Sequence, residues 1–145
     1  MHAQPEQRRI APALTYDQML ETVRYDGAYP TRERAEQSVN AVLAALGQQL
    51  GDCLRTALAA CLPPEAADAL TTALPPTAQP RTGWGFVQDI AARTGVAPAV
   101  ARWDTGAVLS TVAALLPPDL LTQVLGGLPA GYALLFGRAE LVQAA

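Results

Sequence analysis

The chain contains no lysine, one histidine and two cysteines, and each scarcity excludes a class of chemistry. The histidine is His2, at the amino-terminal end. Ser-His-Asp and Cys-His catalysis need an imidazole held beside the nucleophile, so neither is expected. Histidine-based zinc sites go with them, and Cys53 and Cys61 alone cannot supply four ligands. Without lysine there is no Walker-type phosphate loop, and Gly126-Gly127 lacks that context. Cys53 and Cys61 lie eight residues apart. On one helix they would stand ~12 Å apart along its axis, beyond the ~7 Å Cα separation that a disulfide spans. They read as small buried apolar residues. The composition therefore predicts no cofactor, no metal and no catalytic residue.

Other absences narrow the partners. All ten basic residues are arginines, scattered among thirteen carboxylates for a net charge of −3. There is no basic stripe, so nucleic acid is not an expected partner. The most apolar region, Ala107 to Phe136, is broken by Pro117-Pro118-Asp119 and by Gly126-Gly127. It lacks the ~20 uninterrupted apolar residues of a membrane span. Arg8-Arg9 is followed by Ala11-Pro12-Ala13-Leu14 and then Thr15, Tyr16 and Asp17, with no apolar run of a signal peptide. A cytoplasmic location is the expectation.

What is present is alanine and leucine. Half the residues are apolar and only 6% are aromatic. Ala and Leu are strong helix formers, so an all-α fold is predicted. The core pattern is written twice. Ala41-Val42-Leu43, Leu46, Leu50, Leu54, Leu58 and Leu62-Pro63 recur 66 positions later. The second copy reads Ala107-Val108-Leu109, Val112, Leu116, Leu120, Val124 and Leu128-Pro129. Met19 and Val23 match Phe86 and Ile90 at a spacing of 67. The apolar face recurs while the outer residues change, the signature of a duplicated packing unit.

Caps and breakers divide the chain. Residues 1–14 are predicted to be a mobile tail, 15–72 a first helical repeat, 73–82 a linker, 83–137 a second repeat and 138–145 a tail. Thr15 with Gln18 has capping-box spacing, and Thr31 caps the next helix. Ala35, Val39, Val42, Leu43, Leu46 and Leu50 form one stripe of period 3.6. Asp26-Gly27 is expected to end the first helix, with Gly27 in the left-handed region. Arg32 is expected to pair with Glu36, and Asp89 with Arg93, each at i, i+4. The result is two similar four-helix repeats packed together, about eight helices. Each repeat is marginal alone, because a domain that small buries only ~60% of its unfolded surface.

The second repeat opens with Phe86-Val87-Gln88-Asp89-Ile90-Ala91-Ala92-Arg93-Thr94-Gly95. It continues through Ala107-Val108-Leu109 and closes with Leu128-Pro129-Ala130-Gly131-Tyr132 and Phe136. In order and spacing this resembles a bacterial family known as domain of unknown function 2267, over nearly all of Tyr16 to Gly137. The resemblance implies an all-helical fold of two similar halves. It carries no activity, cofactor or catalytic residue.

Functional residues are sought where the copies differ. Trp103 stands where the first copy has Gln37, off the shared apolar stripe. Either it packs between the halves, or it is an exposed aromatic anchor for a partner, with Arg102 and Asp104 as its polar rim. Tyr25, Tyr29 and Trp84, near helix ends, are expected to pack in the core. Carboxylates such as Glu33 and Glu36 fall opposite the apolar stripe and read as a solvated face. The sequence thus predicts a non-enzymatic helical interaction, scaffold or regulatory module, with a protein partner or a second copy of itself. The alternative is a small apolar ligand-binding protein using a cleft between the repeats. An enzyme would need a cluster such as Arg24, Asp26 and Arg93.

Overall fold

A computed structural model describes residues 14–72 and 80–138. Most of the two predicted tails, and most of the 73–82 linker, lie outside the described residues. Among the described residues the fold is all-helical, with eight helices and no strand. They are α1 (Tyr16–Gly27), α2 (Arg32–Gln49), α3 (Asp52–Ala59), α4 (Pro64–Thr71), α5 (Gly83–Thr94), α6 (Pro98–Leu115), α7 (Pro118–Gly126) and α8 (Tyr132–Leu135).

The starts and stops follow from local chemistry. Thr15 accepts from the Gln18 amide while the Gln18 side chain accepts from the Thr15 amide, so α1 begins with two orphan donors satisfied. Thr31 caps α2, and Thr82 caps α5, by the same hydroxyl-to-backbone bond. Leu50 and Leu116, 66 residues apart, both turn to extended backbone with ψ 144°. Pro64, Pro98 and Pro118 sit in first turns, where the missing N–H costs nothing. Gly95 ends α5 at φ 77°, in the left-handed region that glycine enters without a Cβ clash.

Helix packing follows the duplication. α1 packs on α2, and α5 on α6. Across the halves, α1 meets α6, α5 meets α2, α2 meets α6 and α3 meets α7. Exchanging the halves turns the α1–α6 contact into α5–α2 and leaves the last two unchanged, which is consistent with a two-fold relation, although α4 packs closely on α3 with no equal contact between α8 and α7. One core cluster draws on both halves, and matched positions are buried together: Ala35 and Ala101, Leu43 and Leu109, Leu58 and Val124. Phe86 and Tyr132 meet edge to face there, with ring centroids 5.3 Å apart.

Several local expectations are corrected. Gly27 is the last helical residue of α1, and Ala28 takes the left-handed position at φ 53°. Gly27 is needed for space instead: a Cβ there would stand 2.2 Å from the Tyr29 ring. Arg32 pairs with Asp17, and less closely with Glu21, while Glu36 accepts from the Tyr16 hydroxyl. Cys53 is exposed and Cys61 only half-buried. Tyr25 and Trp84 are exposed rather than packed. Each error has one source: helical period fixes a residue's face, but not what covers that face.

Candidate functional site

The site lies where the end of α1 crosses the first half of α6. Its foundation is a polar junction between the two halves. Asp104 belongs to the core face of α6, three residues after Ala101 and four before Val108, and only 6% of it is exposed. The Tyr29 hydroxyl donates to its Oδ1 at 2.5 Å. Arg34 donates from Nη2 to both Asp104 oxygens, at 3.3 and 3.0 Å. Its Nη1 donates to the Ser38 hydroxyl at 2.6 Å, and the guanidinium lies 4.9 Å from the Tyr29 ring centroid. Ser38 and Asp104 occupy matched positions, 66 apart, and both are buried. One carboxylate therefore collects a phenol and a guanidinium from the opposite half, so its desolvation is offset by charge-assisted bonds.

Burial, with the hydrogen bond to Asp104 next, pushes the Tyr29 phenol up to about 12. Tyr16 and Tyr132 are also raised, burial being the largest cause in each. Below about pH 10 these phenols are protonated in both the folded and the unfolded chain. Above it the unfolded chain releases protons that the folded chain holds. Stability from this source is therefore full below about pH 10 and is lost as pH rises through about 12, by about 1.4 kcal/mol per unit for each fully shifted phenol. The urea midpoint should fall between about pH 9 and about pH 11.5, and fall less in Tyr29→Phe. A midpoint level across that window would refute the buried-phenol account.

On this junction rests the groove. Trp103 donates from Nε1 to the Gly27 carbonyl at 2.8 Å, which ties the second half to the end of α1. The residue nonetheless remains 57% exposed. The packing of Trp103 between the halves is reduced to this one hydrogen bond: its polar edge joins the halves, and its face is open. The groove beside it has a volume of about 490 Å³. Trp103, Arg102 and Asp26 line it, over a floor of the small residues Gly106, Ala107 and Ser110. A Cβ on Gly106 would stand 2.9 Å from Arg102 Nη1, so the guanidinium lies over the glycine. Among the described residues Arg102 has no carboxylate partner, unlike Arg24, Arg34, Arg55 and Arg93.

Of the three residues singled out from sequence, Trp103 and Arg102 line the groove and Asp104 does not. The rim position expected of Asp104 is replaced by a buried one, because its spacing from Ala101 and Val108 puts it on the core stripe. That signal was present in the sequence. Gly27 and Gly106 were missed as site residues, and Asp26 was named as one only for the alternative cluster; nothing local marks their place here, because it comes from helices that meet only in the fold. The alternative cluster is not assembled. Arg24 pairs with Glu21, Arg93 with Asp89 and Gln48, and Asp26 lines the Trp103 groove. Among the described residues no three His, Cys, Asp or Glu side chains gather as a metal site, and no helix is long and apolar enough to cross a membrane.

Residues 16–135 match the model of a protein family described as an uncharacterized conserved protein, DUF2267. No curated protein matches the chain.

Proposed function

This chain belongs to the DUF2267 family, and we propose that it is a non-enzymatic helical interaction module that docks a protein partner on the Trp103 groove. One observation carries the reading. An indole is fixed through its nitrogen while its face stays open, beside an arginine with no carboxylate partner among the described residues and above a floor of small residues. Tryptophan and arginine are the residue types most enriched among energetic hot spots. The hydrogen bond to Gly27 holds the ring before the partner arrives, so little rotamer entropy remains to be lost on binding. The net charge of −3 favours a protein partner over nucleic acid.

The ligand-carrier alternative has less support. Among the described residues the more enclosed cavity between the halves, lined by Ser38, Val42, Ile90, Val96 and Asp104 among others, holds about 120 Å³. The Trp103 groove and a groove between α2 and α4, about 490 and 470 Å³, are clefts open to solvent. Pockets for small molecules usually exceed ~300 Å³.

A photo-reactive side chain at Ser110, on the groove floor, tests the proposal inside cells. The expected result is a discrete cross-linked protein species that Trp103→Ala abolishes, since truncating a hot spot costs about 2 kcal/mol, or about thirtyfold in affinity. Trp103→Phe, which keeps an aromatic face, should retain part of it. Circular dichroism on each variant separates lost binding from lost fold. Cross-links that persist unchanged in a folded Trp103→Ala protein would remove the groove from the reading.

A further inference from the structure

We propose that the groove between α2 and α4 is a second docking site, built for a basic segment of a partner protein. Three of its lining positions are repeat partners of positions that line the Trp103 groove. On the floors, Asn40 and Ala44 match Gly106 and Ser110 at a spacing of 66. At the ends, Arg93 of α5 matches Asp26 of α1 at a spacing of 67. The volumes are close, about 470 Å³ against 490 Å³. The two grooves share these three positions, while Glu65, Asp68 and Ala69 of α4, with Thr72 just after it, line the second alone.

The dressing of the second groove names its occupant. Glu65 and Asp68, both exposed, stand one turn apart on α4 and line it. Neither has an ion-pair partner among the described residues, whereas Asp17, Glu21, Asp52, Asp89 and Asp104 each hold an arginine. Arg93 is the groove's own cation, but it is engaged: Nε donates to Asp89 at 2.9 Å and Nη2 to Gln48. The acidic field continues to the start of α1, where Glu36 and Glu65 both oppose ionisation of the Tyr16 phenol. Two like charges one turn apart repel, and an arriving cation relieves that repulsion.

A second feature points to a peptide rather than to a free cation. Gln48, nine-tenths buried, lines the groove. Its Oε1 accepts from Arg93, and its amide nitrogen has no bond among the described residues. That nitrogen offers donors for a main-chain carbonyl, while Ala44 and Ala69 give small apolar walls for alkyl stems. Guanidinium or ammonium groups on the segment then meet Glu65 and Asp68. This site does not depend on the Trp103 groove.

The test is a titration of the full chain, followed by amide chemical shifts. The probe is a capped peptide of sequence Arg-Ala-Leu-Arg-Ala-Leu-Arg, and the control carries Glu in place of each Arg. The expected result is saturable shifts on α2 and α4 with the arginine peptide only, weakened by added salt. Glu65→Gln with Asp68→Asn should weaken binding about tenfold, while Trp103→Ala leaves it unchanged. Equal shifts from both peptides, or none on these helices at millimolar peptide, would overturn the proposal. Tighter peptide binding after Arg8→Ser with Arg9→Ser would assign the groove to the chain's own Arg8-Arg9 and also overturn it. So would groove shifts that vary with protein concentration in step with dimerisation, which would assign it to a second copy.

Discussion

Asp104→Ala is expected to lower the unfolding free energy by about 3 kcal/mol, the low end of the range for removing one partner of a buried ion pair. The carboxylate is 6% exposed and serves two donors from the opposite half. Its loss leaves the Tyr29 hydroxyl without its acceptor and Arg34 with only Ser38. The Arg34 side chain is 30% exposed, so water can reach it, which keeps the loss from the upper end of that range. Asp104→Asn keeps a carbonyl acceptor and should cost less, about 1 to 2 kcal/mol. Urea unfolding followed by circular dichroism checks both. An Asp104→Ala protein within about 0.5 kcal/mol of the parent would show that the junction adds no net stability.

Gly27→Ala is the second large effect, and it tests the same junction from the other side. The new Cβ would stand 2.2, 2.6 and 2.8 Å from three atoms of the Tyr29 ring. A ring is rigid, and this one is held by its hydroxyl at Asp104 and by Arg34 over its face. Relief requires either moving the ring and losing that bond, or moving the end of α1. Overpacking costs about 1 to 3 kcal/mol and a lost buried hydrogen bond about 1 more, so a loss of about 3 kcal/mol is expected. The Gly27 carbonyl that holds Trp103 shifts with it, and tryptophan emission should change accordingly. Gly126→Ala is the control: it closes α7, and a Cβ there meets nothing within 4 Å. That variant should gain up to about 1 kcal/mol from helix propensity. Equal melting temperatures for the two variants would mean that the Tyr29 ring yields freely.

Both effects concern one small region, and it also places the groove. Trp103 and Asp104 are adjacent in sequence and point to different duties. Asp104 fixes α6 to the first half from inside the core, while Trp103 fixes it from outside through Gly27. A partner that seats on the indole therefore presses on the joint between the halves.

The sequence by itself determined the helices, the threonine caps of α1 and α2, the apolar stripe and the duplication. These are legible because a helix is local: its period is 3.6 residues, its caps act within one turn, and a repeated stripe repeats a packing face. The stripe also held the true place of Asp104, through its spacing from Ala101 and Val108. Only the tertiary structure decided which side chains meet across the halves. Tyr29 and Arg34 reach Asp104 over 75 and 70 residues, and Trp103 reaches Gly27 over 76. The role of Gly27 as space for a ring was equally out of reach. The physical reason is that periodicity states which face of a helix is apolar, but not how far one helix is displaced or rotated against another. That relative placement chooses among several arginines and carboxylates of similar reach, and it leaves one face of Trp103 open.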